Sequence, residues 1–525
     1  MTTHALRLRA LFLAVATLAA CSGGGGGDTA PAPPPTAGSP APAPGPVPGP
    51  APVPVPSPPS PPPPPPSQPP SPPPPPPPPP PVATPGPAGC GLPAAAFCDT
   101  FDAPASAQGR AGELDVRLWS GSRAKHGLPS ADGMAIAMGP ATLPTCRAGL
   151  PATVLLPQDA LVCDPTTHIA SRHLLVAAGM QNYGQHTFRI RQPFDFAGRT
   201  GRIVFDAEAN VPNALVGWIS VELLEDPIGA PSFDHLGNWE GGLIPRNGFE
   251  VQFTNNSQYT AAAPAIGVGF IELFDNYRAT THEPATLTTI ATAPGRLNRF
   301  ELRVSKTRIE VWGTPASADG TSFAPAVLMQ AVDVNLAFTR GYVSITTHNH
   351  ASDKYGRLDA WVARWDNVGF DGPVVGGWRE TEVADSLTRP PTAAGAPPLV
   401  DVGYRIADAS AGPAQRLLLR DVDLGGAQSA RLSFTAWYLS FTGDPVSTYT
   451  LRYRLNGRAW REHALSAEEV AVLTSGANGG LVAHLIDVPL GELVSGDNTL
   501  EFVTTHAPQS YPPVFANIDL ILKTP

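Results

Sequence analysis

The sequence predicts an all-β protein, a two-sheet sandwich or jelly roll followed by a second, smaller β-sandwich. Three observations predict it. Apolar and polar residues alternate with period 2 in many short runs, helical periodicity is nearly absent, and Gly, Pro and Asn punctuate the runs. A Gly/Pro/Ala-rich stretch then divides the patterned region in two.

The first element is an export signal, residues 1–20. Arg7 and Arg9 supply the positive start, Leu11 to Leu18 the apolar stretch, and Ala19 and Ala20 the small residues before cleavage. It is too short to span a bilayer. The run Leu18-Ala19-Ala20-Cys21 resembles the bacterial lipoprotein lipobox, which implies a diacylglyceryl group on Cys21. Ser22 stands where an Asp would favour inner-membrane retention, so the resemblance implies an outer-membrane lipoprotein of the bacterial cell envelope, held to the membrane through its lipid alone.

Residues 21–89 read as a lipidated stalk. Gly23 to Gly27 form a flexible tether, and Pro31 to Pro87 carries 35 of the 65 prolines with no charged residue. Proline fixes φ and donates no amide, so this stretch is extended polyproline II, reaching at most roughly 200 Å at about 3 Å per residue. It cannot form a core.

The remaining length is enough for two domains, 90–372 and 399–525, with 373–398 as linker. A formal charge of −10, from 34 basic and 44 acidic residues, excludes the basic footprint that nucleic acid requires. Cys90, Cys98, Cys146 and Cys163 are an even set in an oxidising compartment, which argues for two disulfides. Three pairings are open; Cys90 with Cys98 and Cys146 with Cys163 are favoured because each closes a short stretch. Zinc is the competitor, but there is no CxxC.

In the first domain Phe249, Val251 and Phe253 alternate with Glu250, Gln252 and Thr254. Phe300, Leu302 and Val304, then Ile309 and Val311, alternate likewise around a turn at Ser305 to Arg308. Further strands read at Gly201 to Ala207, Leu215 to Leu223, Ile266 to Phe274, Gly341 to Thr347 and Trp365 to Phe370.

Phe97-Cys98-Asp99-Thr100-Phe101-Asp102, Leu114 to Trp119, the hairpin Asn298 to Trp312 and Trp365-Asp366-Asn367-Val368-Gly369-Phe370 resemble the concanavalin A-like lectin and glucanase superfamily. The likeness covers residues 97–371. It implies a bent jelly roll, laminin-G-like, whose concave sheet faces carbohydrate, in a superfamily of lectins, glycoside hydrolases and polysaccharide lyases. A structural Ca2+ stays open; no other cofactor is expected.

Laminarinase-type hydrolases carry Glu-x-Asp-x-Glu on one strand, whose period places the carboxylates on one face. Here the corresponding run is Glu250-Val251-Gln252-Phe253-Thr254, which keeps one carboxylate. That strand alone lacks the two-carboxylate mechanism. Its polar row suits hydrogen bonds to sugar hydroxyls, or faces water. Asp234, His235, Asn238, Trp239 and Glu240 mix carboxylates, an amide and an aromatic platform suited to a pyranose, or form a structural loop. His348 and His350 project to one face if their strand continues, as ordinary surface histidines, sugar ligands, a metal pair or, with Tyr183 and His186, a lyase base.

In the second domain Tyr449, Leu451, Tyr453 and Leu455 precede the turn Asn456-Gly457, a hairpin signature with Trp460 just beyond. Ser466-Ala467-Glu468-Glu469 is a capping box opening a short helix through Leu473, and Leu500, Phe502 and Ile518 to Leu522 read as closing strands. Trp437 and Tyr438 read as core or inter-domain rings, or as a ligand platform.

No P-loop, GxSxG, HExxH or GxGxxG is present. The sequence therefore points first to a noncatalytic carbohydrate-binding lipoprotein. A polysaccharide lyase or glycoside hydrolase with an atypical site comes second, a structural adhesion or envelope protein third.

Overall fold

In the computed structural model the period-2 runs are strands, and every pairing between named strands among the described residues is antiparallel. The structure describes residues 89–103, 105, 111, 113–124, 167–170, 173–178, 184–209, 216–228, 244–255, 265–293, 296–317, 322–350, 361–383, 388–389, 399–400, 404–405, 409, 413–438, 449–475, 481–505 and 513–525.

The first sandwich opens with β1 (Ala95–Asp99), β2 (Trp119–Ala124), β3 (Thr167–Ala170), β4 (His173–Ala178), β5 (Gly184–Ile190) and β6 (Phe194–Asp195). It continues with β7 (Gly201–Ala209), β8 (Val216–Leu224), β9 (Asn247–Asn255), β10 (Ala265–Asp275), β11 (Arg278–His282) and β12 (Thr289–Ala291). β13 (Asn298–Ser305), β14 (Arg308–Thr314), β15 (Val327–Asp333), β16 (Arg340–His350) and β17 (Trp361–Asp371) complete it. One sheet has eight strands in the order β15-β14-β13-β7-β17-β4-β3, with β1 on β17. The other has nine, ordered β11-β10-β9-β8-β16-β5-β2, with β12 on β10 and β6 on β16. Half of the neighbours in these orders are not consecutive in the chain, the crossing-over that a jelly roll requires.

The inner faces meet in an aromatic core. Phe205 of the eight-stranded sheet stacks on Phe300 at 5.3 Å and meets Phe253 of the other sheet edge-on at 5.6 Å, while Trp365 lies against Phe205 at the same 5.6 Å separation. Rings of this size each contribute roughly 2–3 kcal/mol by leaving water, so they fix which face of each strand turns inward. The outer face of the eight-stranded sheet is an ion-pair lattice in which Asp206 binds Arg299, Glu208 binds Arg364, and Glu301 lies between Arg202 and Arg303. The Trp365-Asp366-Asn367 motif has a structural reason: β17 bulges between Asp366 and Gly369, Asn367 adopts φ +49°, and its amide donates to Asp206 at 2.8 Å.

β18 (Trp378–Glu382) opens the second sandwich, β19 (Thr388–Arg389) and β20 (Leu399–Val400) pair as a separate two-stranded sheet, and β21 (Tyr404–Arg405), β22 (Gln415–Val422), β23 (Ser429–Trp437) and β24 (Thr450–Leu455) belong to the sandwich. β25 (Arg461–Ala464), helix α1 (Ala467–Ser475), β26 (Leu481–Val488), β27 (Gly496–Thr505) and β28 (Val514–Lys523) follow. A five-stranded sheet, β18-β28-β23-β26 with β21 on β28, packs on a four-stranded one, β22-β27-β24-β25, through Phe434, Phe502 and Phe515. Asn456 and Gly457 have φ +50° and +68°, so the predicted turn residues stand where left-handed backbone is required. The capping box is reciprocal: Ser466 Oγ accepts from the Glu469 amide at 3.1 Å and Glu469 Oε2 accepts from the Ser466 amide at 2.6 Å.

One expectation needs correction. Trp378–Glu382, read as linker, is a full strand paired to β28, and Val383 is buried in the second core. The described residues of both sandwiches belong to one compact unit. The Cys90–Cys98 disulfide is present. Cys21, Cys146 and Cys163 lie outside the described residues. No helix among the described residues is long and apolar enough to cross a membrane.

Candidate functional site

The nine-stranded sheet has an unusual outer face. In β8 Ile219, Val221 and Leu223 enter the core, so Trp218, Ser220 and Glu222 point the other way. The register extends that face across the neighbouring strands. Glu222 lies opposite Ser344 on β16 and Glu250 on β9, and Glu250 lies opposite Glu272 on β10. Beyond Ser344 the row continues to Arg189 and Ser120. A second row runs Ser122, Thr187, Thr346, Ser220, Gln252 and Phe270.

Three glutamates from three adjacent strands thus form the centre of a hydroxyl-rich and amide-bearing face that also carries Trp218, Phe270 and Tyr342. The rows are internally bonded. Ser220 Oγ donates to Glu250 Oε1 at 2.5 Å, Thr187 and Thr346 share a hydrogen bond at 2.8 Å, and Thr281 of β11 donates to Glu272 Oε1 at 2.9 Å. Glu222 and Glu250 are fully buried, Glu272 is 2% exposed, and the face meets the surface at β11, where Thr281 is exposed. Burial first, and the Glu250 charge second, hold the Glu222 carboxyl well above the usual carboxylate range, with the Thr346 hydroxyl acting in the opposite sense. The raised proton affinity favours the neutral, hydrogen-bond-donating form of Glu222.

The predicted row Glu250, Gln252 and Thr254 does share one face, but it is buried, with 0%, 4% and 9% exposure, so it neither faces open water nor lines an open groove. His348 and His350 lie in β16, which does continue through them; His348 is opposite Gln185 and Trp218 in register. Asp234, His235, Asn238, Trp239, Glu240 and Tyr183 lie outside the described residues. Tyr438 is buried in the second core, with its hydroxyl against His484 Nε2 at 2.8 Å, which makes it a core ring. Sequence reasoning missed Glu222, Glu272, Ser344 and Thr346. The alternation Trp218-Ile219-Ser220-Val221-Glu222 was legible, whereas cross-strand register was not.

The second sandwich closes one end of this face. Arg189 Nη2 donates to Glu380 Oε2 of β18 at 2.7 Å, Ser120 Oγ donates to Glu380 Oε1, and Trp378 meets Tyr342 edge-on. The Arg189 and Glu380 side chains are 3% and 0% exposed, so this is an interior ion pair. Nearby a cavity of about 250 Å³ lies between Asp226, Arg246 and Tyr277 on one wall and Arg431, His463 and Glu469 on the other. Burial raises Asp226 and pushes Tyr277 up to about 12. Burial also favours a neutral Glu469, but the facing His484 and the Ser466 amide outweigh it and hold the carboxyl at about 2.

Fold and face together define a two-sandwich all-β protein with a polar, carboxylate-centred sheet. No protein-family profile matches the chain. No curated protein matches it either. Among solved structures it is similar to the exoplasmic/lumenal domain of VIP36 in a Ca2+/Man3GlcNAc-bound form, at 12% identity and TM-score 0.26, over 40% of this chain and 82% of that one. The Emp47p carbohydrate recognition domain aligns at 11% identity and TM-score 0.25, over 40% of this chain and 86% of that one. A xylan beta-1,4-xylosidase from Bacillus halodurans C-125 aligns at 11% and 0.27, over 52% of this chain and 39% of that one. The sheet order of this chain, rather than these alignments, defines its fold.

Proposed function

We propose that this protein is a lipid-anchored envelope protein that binds carbohydrate through the outer face of its nine-stranded sheet. The observation that carries the reading is the in-register polar face, in which Ser, Thr, Gln and Glu side chains lie among Trp218, Phe270 and Tyr342. The polar side chains of this face are not what a purely packing role would select. Hydroxyls, amides and carboxyls beside aromatic rings are instead the groups that pair with sugar hydroxyls and stack on pyranose faces. Because the centre of the face is buried, sugar must gain access where the row meets the surface, at Thr281 beside Glu272. The anchor at Cys21, the stalk and the outer-membrane location belong to the same proposal and rest on the sequence.

A second reading, glycoside hydrolysis, is favoured by one observation. Glu222 supplies across the strands the second carboxyl that the Glu250 strand lacks, with its proton affinity raised by burial and by Glu250. A protonated acid beside a carboxylate is what glycosidic cleavage requires. Incubating the full chain with a polysaccharide panel, with affinity electrophoresis and product analysis, separates the readings. Retardation without new oligosaccharide supports binding. Cleavage that disappears in both Glu222→Gln and Glu250→Gln supports hydrolysis, and neither retardation nor cleavage overturns both.

A further inference from the structure

We propose that His463, Glu469 and His484 form a site for a zinc-class divalent cation in the second sandwich, on the wall of the cavity it shares with the first. The three residues come from β25, the first turn of α1 and β26, and one donor atom from each lies within 4.8 Å of the other two. His484 Nδ1 and Glu469 Oε1 are 3.0 Å apart. Donors at 2.0–2.1 Å from a tetrahedral zinc lie roughly 3.4 Å apart, so small side-chain rotations convert the cluster into a coordination set.

The surrounding bonds aim these donors. Glu469 Oε2 is held by the Ser466 amide at 2.6 Å, which leaves Oε1 turned to His484. His484 Nε2 is held by the Tyr438 hydroxyl at 2.8 Å, which leaves Nδ1 turned to Glu469. Metal-ligating imidazoles and carboxylates are typically fixed in this way by hydrogen bonds from their outer atoms. His463 Nε2 and His484 Nδ1 are buried and make no hydrogen bond of good geometry, an arrangement that buried polar atoms seldom tolerate. An ion pair between His484 and Glu469 alone gives His463 Nε2 nothing to bind.

Two imidazoles and one carboxylate select against Ca2+ and Mg2+, which take oxygen ligands, and suit zinc with one position left for water or a further ligand. That position faces the cavity, since His463 and Glu469 line it. The site is independent of the sugar-binding reading, whose residues lie on the other sandwich.

The test uses the full chain, stripped with chelator and titrated calorimetrically with Zn2+, Ca2+ and Mg2+, and with Co2+ followed by visible absorption. The proposal expects one Zn2+ at micromolar Kd or tighter, no saturable Ca2+ or Mg2+ at this site, and a Co2+ spectrum of tetrahedral intensity. Zn2+ affinity should fall at least 100-fold in His463→Ala and in Glu469→Gln, which keeps the capping box. His282→Ala, on β11 of the first sandwich, should leave it unchanged. Absence of Zn2+ binding, unaltered binding in both site variants with thermal melts like wild type, or loss in His282→Ala alone would overturn the site.

Discussion

Glu222 and Glu250 face each other from adjacent antiparallel strands, both fully buried, with Ser220 bonding Glu250 and burial and the Glu250 charge raising Glu222. Because the folded-state pKa of Glu222 lies above its unfolded value, its contribution to stability is complete below the ordinary carboxylate range and is lost as pH rises through the raised pKa. Glu222→Gln removes that loss. Urea melts of both proteins should show the variant gaining on wild type between pH 5 and pH 8; a constant difference across that window would contradict a raised Glu222.

The Arg189–Glu380 pair joins the two sandwiches with both side chains shielded from solvent. Glu380→Ala strands a buried guanidinium, a change that costs about 3–5 kcal/mol when one partner of an interior ion pair is removed. Calorimetry should show a lower first transition, with the two sandwiches melting separately. A single unshifted transition would mean that the pair does not hold the interface.

Asn367 combines left-handed backbone with an amide bond to Asp206 at the bulge of β17. Asn367→Ala loses both the bond and a residue type tolerant of that φ, so denaturant midpoints should report about 1–3 kcal/mol of destabilisation. Asn367→Gly should recover part of it. Equal stability of all three proteins would show the motif to be incidental.

Cys90–Cys98 closes a short loop with a sequence separation of 8, and Cys90 is 3% exposed. Removing it should cost about 2 kcal/mol by the loop-entropy argument. Nonreducing peptide maps should recover this pair, and the pairing of Cys146 with Cys163 is tested in the same map. Cys21→Ser should release the chain from membranes without altering its melt; continued retention would remove the anchor.

Much of the fold was legible because period 2 is a local property. Phe249, Val251 and Phe253, or Tyr453 and Leu455 before Asn456-Gly457, declare strand, face and turn from their own neighbours. The capping box at Ser466 and Glu469 was legible for the same reason. Trp378–Glu382 was hidden because its flanks are Gly- and Pro-rich and its pairing partner, β28, lies at the other end of the domain. The site was legible at the row Glu250, Gln252 and Thr254. Its neighbours Glu222 and Glu272 became visible through strand register, and His463, Glu469 and His484 have no motif spacing, since β25, α1 and β26 bring them together only in three dimensions.

The most direct test of carbohydrate binding by this face is affinity electrophoresis of the full chain against a polysaccharide panel, comparing wild type with Gln252→Met. The substitution keeps side-chain volume and removes an amide from the second row, between Ser220 and Phe270. Retardation of wild type by at least one polysaccharide is expected, with Kd about 10-fold weaker in the variant, as for the loss of one or two buried hydrogen bonds. No retardation by any polysaccharide, or equal retardation of both proteins, would contradict binding at this face.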